Sequence, residues 1–238
     1  MRVTLAQTSP KLNRSNLDYI CKTIEEFKDK SDLIVFCELS LNGYLLQDKL
    51  YEDAWNKDEL SLLEDLSSEI DIVVGGAMKD KEAFRNAALY FSKGKLLSQH
   101  NKVHLPNYGM FEEARYFKAG EIFESFTSQF GKTSMLVCED LWHDSVHHDL
   151  IKENPDLIIA LVASPARGFT EEGLVIENKW YSIIKTVASE CSAELIFVNR
   201  VGFEDGLGFW GGSCIVEKNG SIRHQLPRYE TIIKTFDI

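Results

Sequence analysis

Short apolar runs alternate along the chain with stretches whose apolar positions recur at helical spacing. Val3–Ala6 begins as a strand. Asn13–Lys28 sets Leu17, Ile20, Ile24 and Phe27 on one helical face, with acids and lysines elsewhere. Asp32–Cys37 (DLIVFC) reads as a buried strand, Lys57–Glu69 as a second helix, and Asp71–Ala77 as a buried strand ending in Gly75-Gly76. Lys93-Gly94 marks a hairpin between Ala87–Phe91 and Lys95–His100. Thr133–Cys138 is a strand followed by a short helix, Asp156–Val162 a strand, Leu174–Ser189 a helix and Glu194–Asn199 a strand. Asn219-Gly220 joins Ser213–Glu217 to Ile222–Gln225 in a second hairpin, and Thr231–Phe236 adds a last strand. No linker, repeat or low-complexity tract interrupts this order. Helices interleaved with continuous apolar strands and hairpins predict one α/β domain over residues 1–238, with a mixed sheet and external helices.

Composition narrows the classes. An apolar fraction of 44% permits a sizeable core. Acids outnumber bases 37 to 26, and the net charge of −11 argues against a nucleic-acid or anionic-lipid partner, either of which needs a basic face. No stretch approaches the roughly 18 uninterrupted apolar residues of a membrane helix. The N-terminal MRVTLAQTSP lacks the apolar run of a signal peptide. Cys21, Cys37, Cys138, Cys191 and Cys214 are odd in number, scattered and free of C-x-x-C, which suggests neither a disulfide framework nor a zinc site. The expectation is a cytoplasmic protein with no metal and no cofactor.

Function in α/β proteins gathers where buried strands run out into loops. Three strands here finish on chemically useful groups: DLIVFC leads into Glu38, KLLSQHN into Lys102, and TSMLVC ends on Cys138. Taken singly, a thiol at an apolar strand end reads as an inert core residue, and a Glu or Lys there as a solvated loop charge. Together they could bring a carboxylate, an amine and a thiol to one mouth, which strand pattern alone leaves open.

Three blocks carry a resemblance. FCELSLNGY at Phe36–Tyr44, KVHLPNYGMFEEARYF at Lys102–Phe117 and CEDLW at Cys138–Trp142 look like the signature blocks of the nitrilase superfamily of carbon–nitrogen hydrolases, in the family's order. The likeness continues through ASPARGF at Ala163–Phe169 and the Gly-rich Asn199–Ile222, so it covers essentially the whole chain. It implies a four-layer α-β-β-α sandwich with two mixed sheets. It also implies Cys138 as nucleophile, Glu38 as general base, Lys102 as charge stabiliser and Glu113, rather than Glu112, as a further glutamate beside them. Cys37 departs from the proline common before the family's glutamate. KxxLPNYGxF with CEDLW is similar to the glutamine-hydrolysing domain of glutamine-dependent NAD synthetases. Those enzymes carry an ATP-using domain after the hydrolase, and the short run after Asn219-Gly220 leads one to expect none here. The resemblance further implies a homodimer or larger homo-oligomer.

The chemistry suits these residues. A thiol is a weak nucleophile until deprotonated, and a buried glutamate can take its proton and return it to the leaving amine. Lys102 and the backbone N–H of Glu139 would stabilise the oxyanion. Tyr108 reads either as a substrate contact or as loop packing. Arg167, just past the strand DLIIALV, reads either as a clamp for a substrate carboxylate or as a surface partner of Glu171 or Glu172. Trp142 reads as structural, and Trp180 and Tyr181 as core or subunit-contact aromatics. HDSVHH, with His143 and His147 one helical turn apart, lacks the H-E-x-x-H order of a zinc helix and reads as an exposed helix start. Gly206, Gly208, Gly211 and Gly212 fit no phosphate loop and read as a loop of unusual backbone angles. The function expected is Cys-dependent hydrolysis of a small linear amide or carbamoyl compound to acid and ammonia. The alternatives are a glutaminase subunit serving a separate synthetase, a nitrile hydrolase, and a non-catalytic binding protein of the same fold.

Overall fold

The computed structural model describes every residue of the 238 except Glu82. β1 (Arg2–Gln7), β2 (Leu33–Phe36), β3 (Asp71–Asp80), β4 (Ala83–Ser92) and β5 (Lys95–Asn101) form one sheet of six strands with the C-terminal Ile232–Asp237, in the order C-terminal strand, β1, β2, β3, β4, β5. The second six-stranded sheet contains β6 (Phe126–Ser128), β7 (Gly131–Val137) and β8 (Leu157–Val162). It continues through Glu194–Asn199, Cys214–Val216 and Ile222–Gln225. Each sheet has a parallel centre, β1-β2-β3 in one and β7-β8 with Glu194–Asn199 in the other, flanked by antiparallel strands.

Alternation along β2 shows how the layers stack. Ile34 and Phe36 pack against the helix α1 (Asn16–Phe27) through Leu17, Ile20 and Ile24, while Leu33 and Val35 face the other sheet's Met135 and Val137. On the far side Trp180, Ile184 and Val187 of the helix Val175–Cys191 join the core of the second sheet, beside the helix Asp144–Glu153. The result is the α-β-β-α sandwich with two mixed sheets. A strand buried on both faces needs no polar alternation, which is why these strands read as continuous apolar runs.

Several boundaries differ from the sequence reading. α1 starts at Asn16 because Asn13 Oδ1 accepts from the Ser15 backbone at 2.9 Å and from its hydroxyl at 2.6 Å, fixing a turn first. The helix expected over Lys57–Glu69 is a 3₁₀ turn at Lys57–Leu60 followed by Ser61–Leu66. β3 does not end at Gly75-Gly76 but runs on to Asp80. A Cβ at Gly75 would lie 2.5 Å from Leu39 N and 2.8 Å from Glu38 Cα, so glycine lets β3 pass where β2 turns away. Gly206 and Gly208 belong to a hairpin, Val201–Glu204 with Leu207–Trp210. Its Asp205-Gly206 turn has φ of 45° and 80°, the two positive angles of a type I′ turn. Asp-Gly was the signal for it.

Candidate active site

Glu38, Lys102 and Cys138 reach one mouth because of strand direction. β2 and β3 are parallel; β4 reverses and β5 reverses again, so Lys102 leaves β5 on the side where Glu38 leaves β2. The second sheet packs face to face with the first and delivers Cys138 from the end of β7. Cys138 opens the 3₁₀ turn Cys138–Trp142 with φ of 46°. For a residue bearing a Cβ this left-handed conformation costs about 1–2 kcal/mol, and it turns the thiol out of the strand line.

The charged core of the site is buried. Lys102 is 1% exposed, and its Nζ lies 2.8 Å from Glu38 Oε1 and 2.8 Å from Glu113. Burial opposes the ammonium charge, yet the Glu113 and Glu38 carboxylates hold Lys102 well above its usual pKa. Burial raises the Glu113 carboxyl, against the pull of Lys102. Tyr44 Oη donates to Glu113 Oε1 at 2.6 Å. Glu112, by contrast, lies exposed beside Arg115. Burial, reinforced by Glu38, pushes the Cys138 thiol well above its ordinary value, with Lys102 and the Ala163 backbone amide opposing. Burial thus favours the neutral thiol over the thiolate at Cys138.

A pocket of about 360 Å³ opens onto Cys138. Tyr108, Glu139, Arg167 and Trp180 are among its walls. Tyr108 Oη donates to both Glu139 oxygens at 3.0 Å and its ring meets Phe111 edge-on, so it both packs the loop and lines the pocket. Burial raises Glu139, opposed by the Tyr108 hydroxyl. Arg167 does not pair with Glu171 or Glu172: among the described residues its Nε is buried with no hydrogen-bond partner, and its guanidinium sits 5.3 Å from the Phe111 ring. Trp142 and Trp180 meet edge-on at the pocket wall, and Trp180 Nε1 donates to Ser164 Oγ at 2.9 Å. Both are pocket residues, not only core. Tyr181 instead ties to Gly212 O at 2.8 Å. The HDSVHH rings turn to separate partners: His143 stacks on His104, His147 meets Leu141 O and His148 meets Asp144 O.

Three polar residues went unread in the sequence. Asn86 Nδ2 donates to Glu38 Oε1 at 2.8 Å. Its signal was an amide beside the apolar run AALYF. Tyr44 closes the FCELSLNGY block, where nothing in the sequence marks its contact with Glu113. Asp140 is fully buried and accepts from the backbone of Val103, His104 and Val137 and pairs with His100. Its only signal in the sequence is a second carboxylate beside Glu139, two positions past Cys138.

The comparisons extend this picture. The glutamine-dependent NAD(+) synthetase of Acinetobacter baylyi is 32% identical over 248 residues, covering 100% of this chain and 44% of that protein. The enzyme of the same name from Thermotoga maritima is 32% identical over 250 residues, covering 100% and 42%. The chain thus spans less than half the length of these relatives. The solved glutamine-dependent NAD+ synthetase from Acinetobacter baumannii superposes with a TM-score of 0.88 at 29% identity, over 98% of this chain and 44% of that one. An amidase of the nitrilase superfamily from Nesterenkonia gives a TM-score of 0.83 at 22% identity over 100% and 90%, a likeness of fold. The carbon-nitrogen hydrolase pattern itself matches residues 2–238. A match running almost from end to end, over a sandwich with the same architecture, shows that the chain belongs to the carbon–nitrogen hydrolase family.

Proposed function

We propose that this hydrolase cleaves a small linear amide through a Cys138 thioester, and that glutamine is the amide its pocket best suits. One observation carries the reading: a buried Glu38–Lys102–Glu113 cluster adjoins a buried thiol at the floor of an open pocket. Glu38 takes the thiol proton as Cys138 attacks the carbonyl carbon, then gives it to the departing ammonia. Water next attacks the thioester, again with Glu38 as base. Lys102 faces the oxyanion of both steps. The Glu139 N–H, in the first turn of a 3₁₀ segment where such groups have no partner within the turn, supplies a second donor. Glu113 holds the ammonium of Lys102 in place, and Tyr44 holds Glu113.

The choice among amides rests on charge. Glutamine carries a carboxylate and an ammonium beyond its amide, and the pocket offers the unpaired Arg167 and the Glu139–Tyr108 pair. The named activity of the relatives, glutamine-dependent NAD synthesis, supports the same substrate and favours a second reading in which the ammonia serves a synthetase. A pure binding role leaves the buried ion cluster unexplained, since burying such charges costs several kcal/mol. The test is ammonia release from glutamine, asparagine, carbamoyl amino acids and short neutral amides, each with wild type and Cys138→Ala. Glutamine should lead the panel, and Cys138→Ala should release no ammonia above background. An alanine variant that turns over, or a neutral amide that outpaces glutamine, would overturn the mechanism or the substrate respectively.

A further inference from the structure

The two oxygens of Glu38 stand in different surroundings. Oε1 accepts from Lys102 Nζ and from Asn86 Nδ2, each at 2.8 Å. Oε2 is buried and has no partner among the described residues. Asn86 is 1% exposed, stands on β4 opposite Ala77, and its own carbonyl accepts from Lys102 N at 2.8 Å. One residue thus holds the side chain of the carboxylate and the backbone of the lysine.

We propose that Asn86 is a positioning residue that, with Lys102, occupies Oε1 of Glu38 and so assigns Oε2 as the atom that takes the Cys138 proton. The inference rests on the reading of Glu38 as base and Cys138 as nucleophile. A free carboxylate turns about its last bond and presents either oxygen. Two donors on the same oxygen, one of them charged, remove that freedom and engage the lone pairs of Oε1. Only Oε2 keeps its lone pairs open. The amide of Asn86 holds its own protons at neutral pH, so it fixes the base without competing as an acid. The orientation of the amide is set by the site: turned over, it would press Oδ1 against a carboxylate oxygen. Asn86 Oδ1 is left buried and unpartnered as a result, a cost that a residue serving only the fold would avoid. In the step itself the S–H bond breaks and an O–H bond forms on Oε2. The electron pair stays on Sγ and makes the C–S bond. When the tetrahedral intermediate collapses, the proton on Oε2 passes to the leaving nitrogen.

Iodoacetamide alkylation of Cys138 in the full chain reads thiol activation with no substrate present. Wild type, Asn86→Leu, Glu38→Gln and the double variant are compared at pH 7, with Asn86→Ala alongside in case leucine prevents folding. Asn86→Leu should slow alkylation by about tenfold or more, the loss of a hydrogen bond to a charged group. Glu38→Gln should slow it further, and the double variant should be no slower than Glu38→Gln alone, because Asn86 acts only through Glu38. On an amide substrate the loss should fall on kcat, with KM held within about twofold. A merely structural role would lower the melting temperature without moving the alkylation rate of the folded enzyme. Folded Asn86 variants that react at the wild-type rate while Glu38→Gln is slow would overturn the inference alone, as would losses that add in the double variant. Glu38→Gln reacting like wild type would instead remove the base assignment, and this inference with it.

Discussion

Cys37 and Cys138 lie one position from Glu38 and opposite it, and both are buried, yet they have different environments. Cys37 is fully enclosed, and burial pushes its thiol up to about 12 against the opposing pull of Arg200 and a hydrogen bond with Thr8. Cys138 borders the pocket with Lys102 and the Ala163 amide opposing its burial. Iodoacetamide should therefore reach Cys138 faster than the enclosed Cys37, and peptide mapping should show that order; a faster label on Cys37 would contradict it. Arg167 supplies the second test at this scale. Replacing it with methionine should lower kcat/KM about tenfold or more on an amide bearing a carboxylate, about 1.4 kcal/mol, and leave a neutral amide of equal length nearly unchanged. Equal losses on both would mean that Arg167 only packs against Phe111. The sequence located Arg167 at a strand end but left its partner open, because a surface acid four or five positions on is as near in the chain as the pocket is in space.

Among the elements, β3 passes close against the end of β2 that carries Glu38. Gly75 is where they nearly touch: its missing Cβ would meet Leu39 N, Cys37 O and Glu38 Cα, all backbone atoms that cannot swing aside. Gly75→Ala should cost about 3 kcal/mol of stability and displace Glu38 enough to lower kcat. Gly94→Ala is the control. Gly94 has φ of 76° and nothing within 4 Å of an added Cβ, so its substitution should cost stability through backbone strain while kcat stays at the wild-type value. Thermal melts and kcat on the two variants separate the cases. A Gly75→Ala enzyme as active as wild type would mean that Glu38 is held from elsewhere. The Gly75-Gly76 pair was read as a strand end because glycine usually marks one; here the absent side chain permits a crossing, and only the neighbouring backbone reveals that.

At the scale of the whole molecule, Asp140 joins the two sheets. It follows β7 of one sheet and gathers the backbone of Val103 and His104, which follow β5 of the other, together with His100 within β5. Burial works against its charge, but His100 and the backbone amides hold the carboxyl below its usual range. Its folded value being lowered, Asp140 adds stability that is fully present above the unfolded value of about 3.9 and is lost as pH falls through the folded one. Asp140→Asn should thus be less stable by about 2–4 kcal/mol near neutrality. The gap in melting temperature from wild type should begin to narrow below about pH 4. A gap independent of pH would mean that the charge of Asp140 plays no part in holding the sheets together.

β6 and the hairpin of Val201–Glu204 with Leu207–Trp210 are not read from the sequence alone, whereas most of the strands, the main helices, the hairpins at Lys93-Gly94 and Asn219-Gly220, and the three strand ends that carry Glu38, Lys102 and Cys138 are. Those features are local: they follow from burial on one or both faces and from turn chemistry, and both are written in residues close along the chain. The blocks of family likeness added the sandwich, which the two six-stranded sheets and their face-to-face packing bear out. Relations between residues distant in sequence emerge only once the chain is folded. Asn86 lies 48 positions from the carboxylate it holds, Asp140 stands 36 and 37 positions from the amides it gathers, and Tyr44 reaches Glu113 across 69. No period in the sequence marks any of the three. A buried hydrogen bond is a property of two ends brought together, and a linear pattern records only one end at a time.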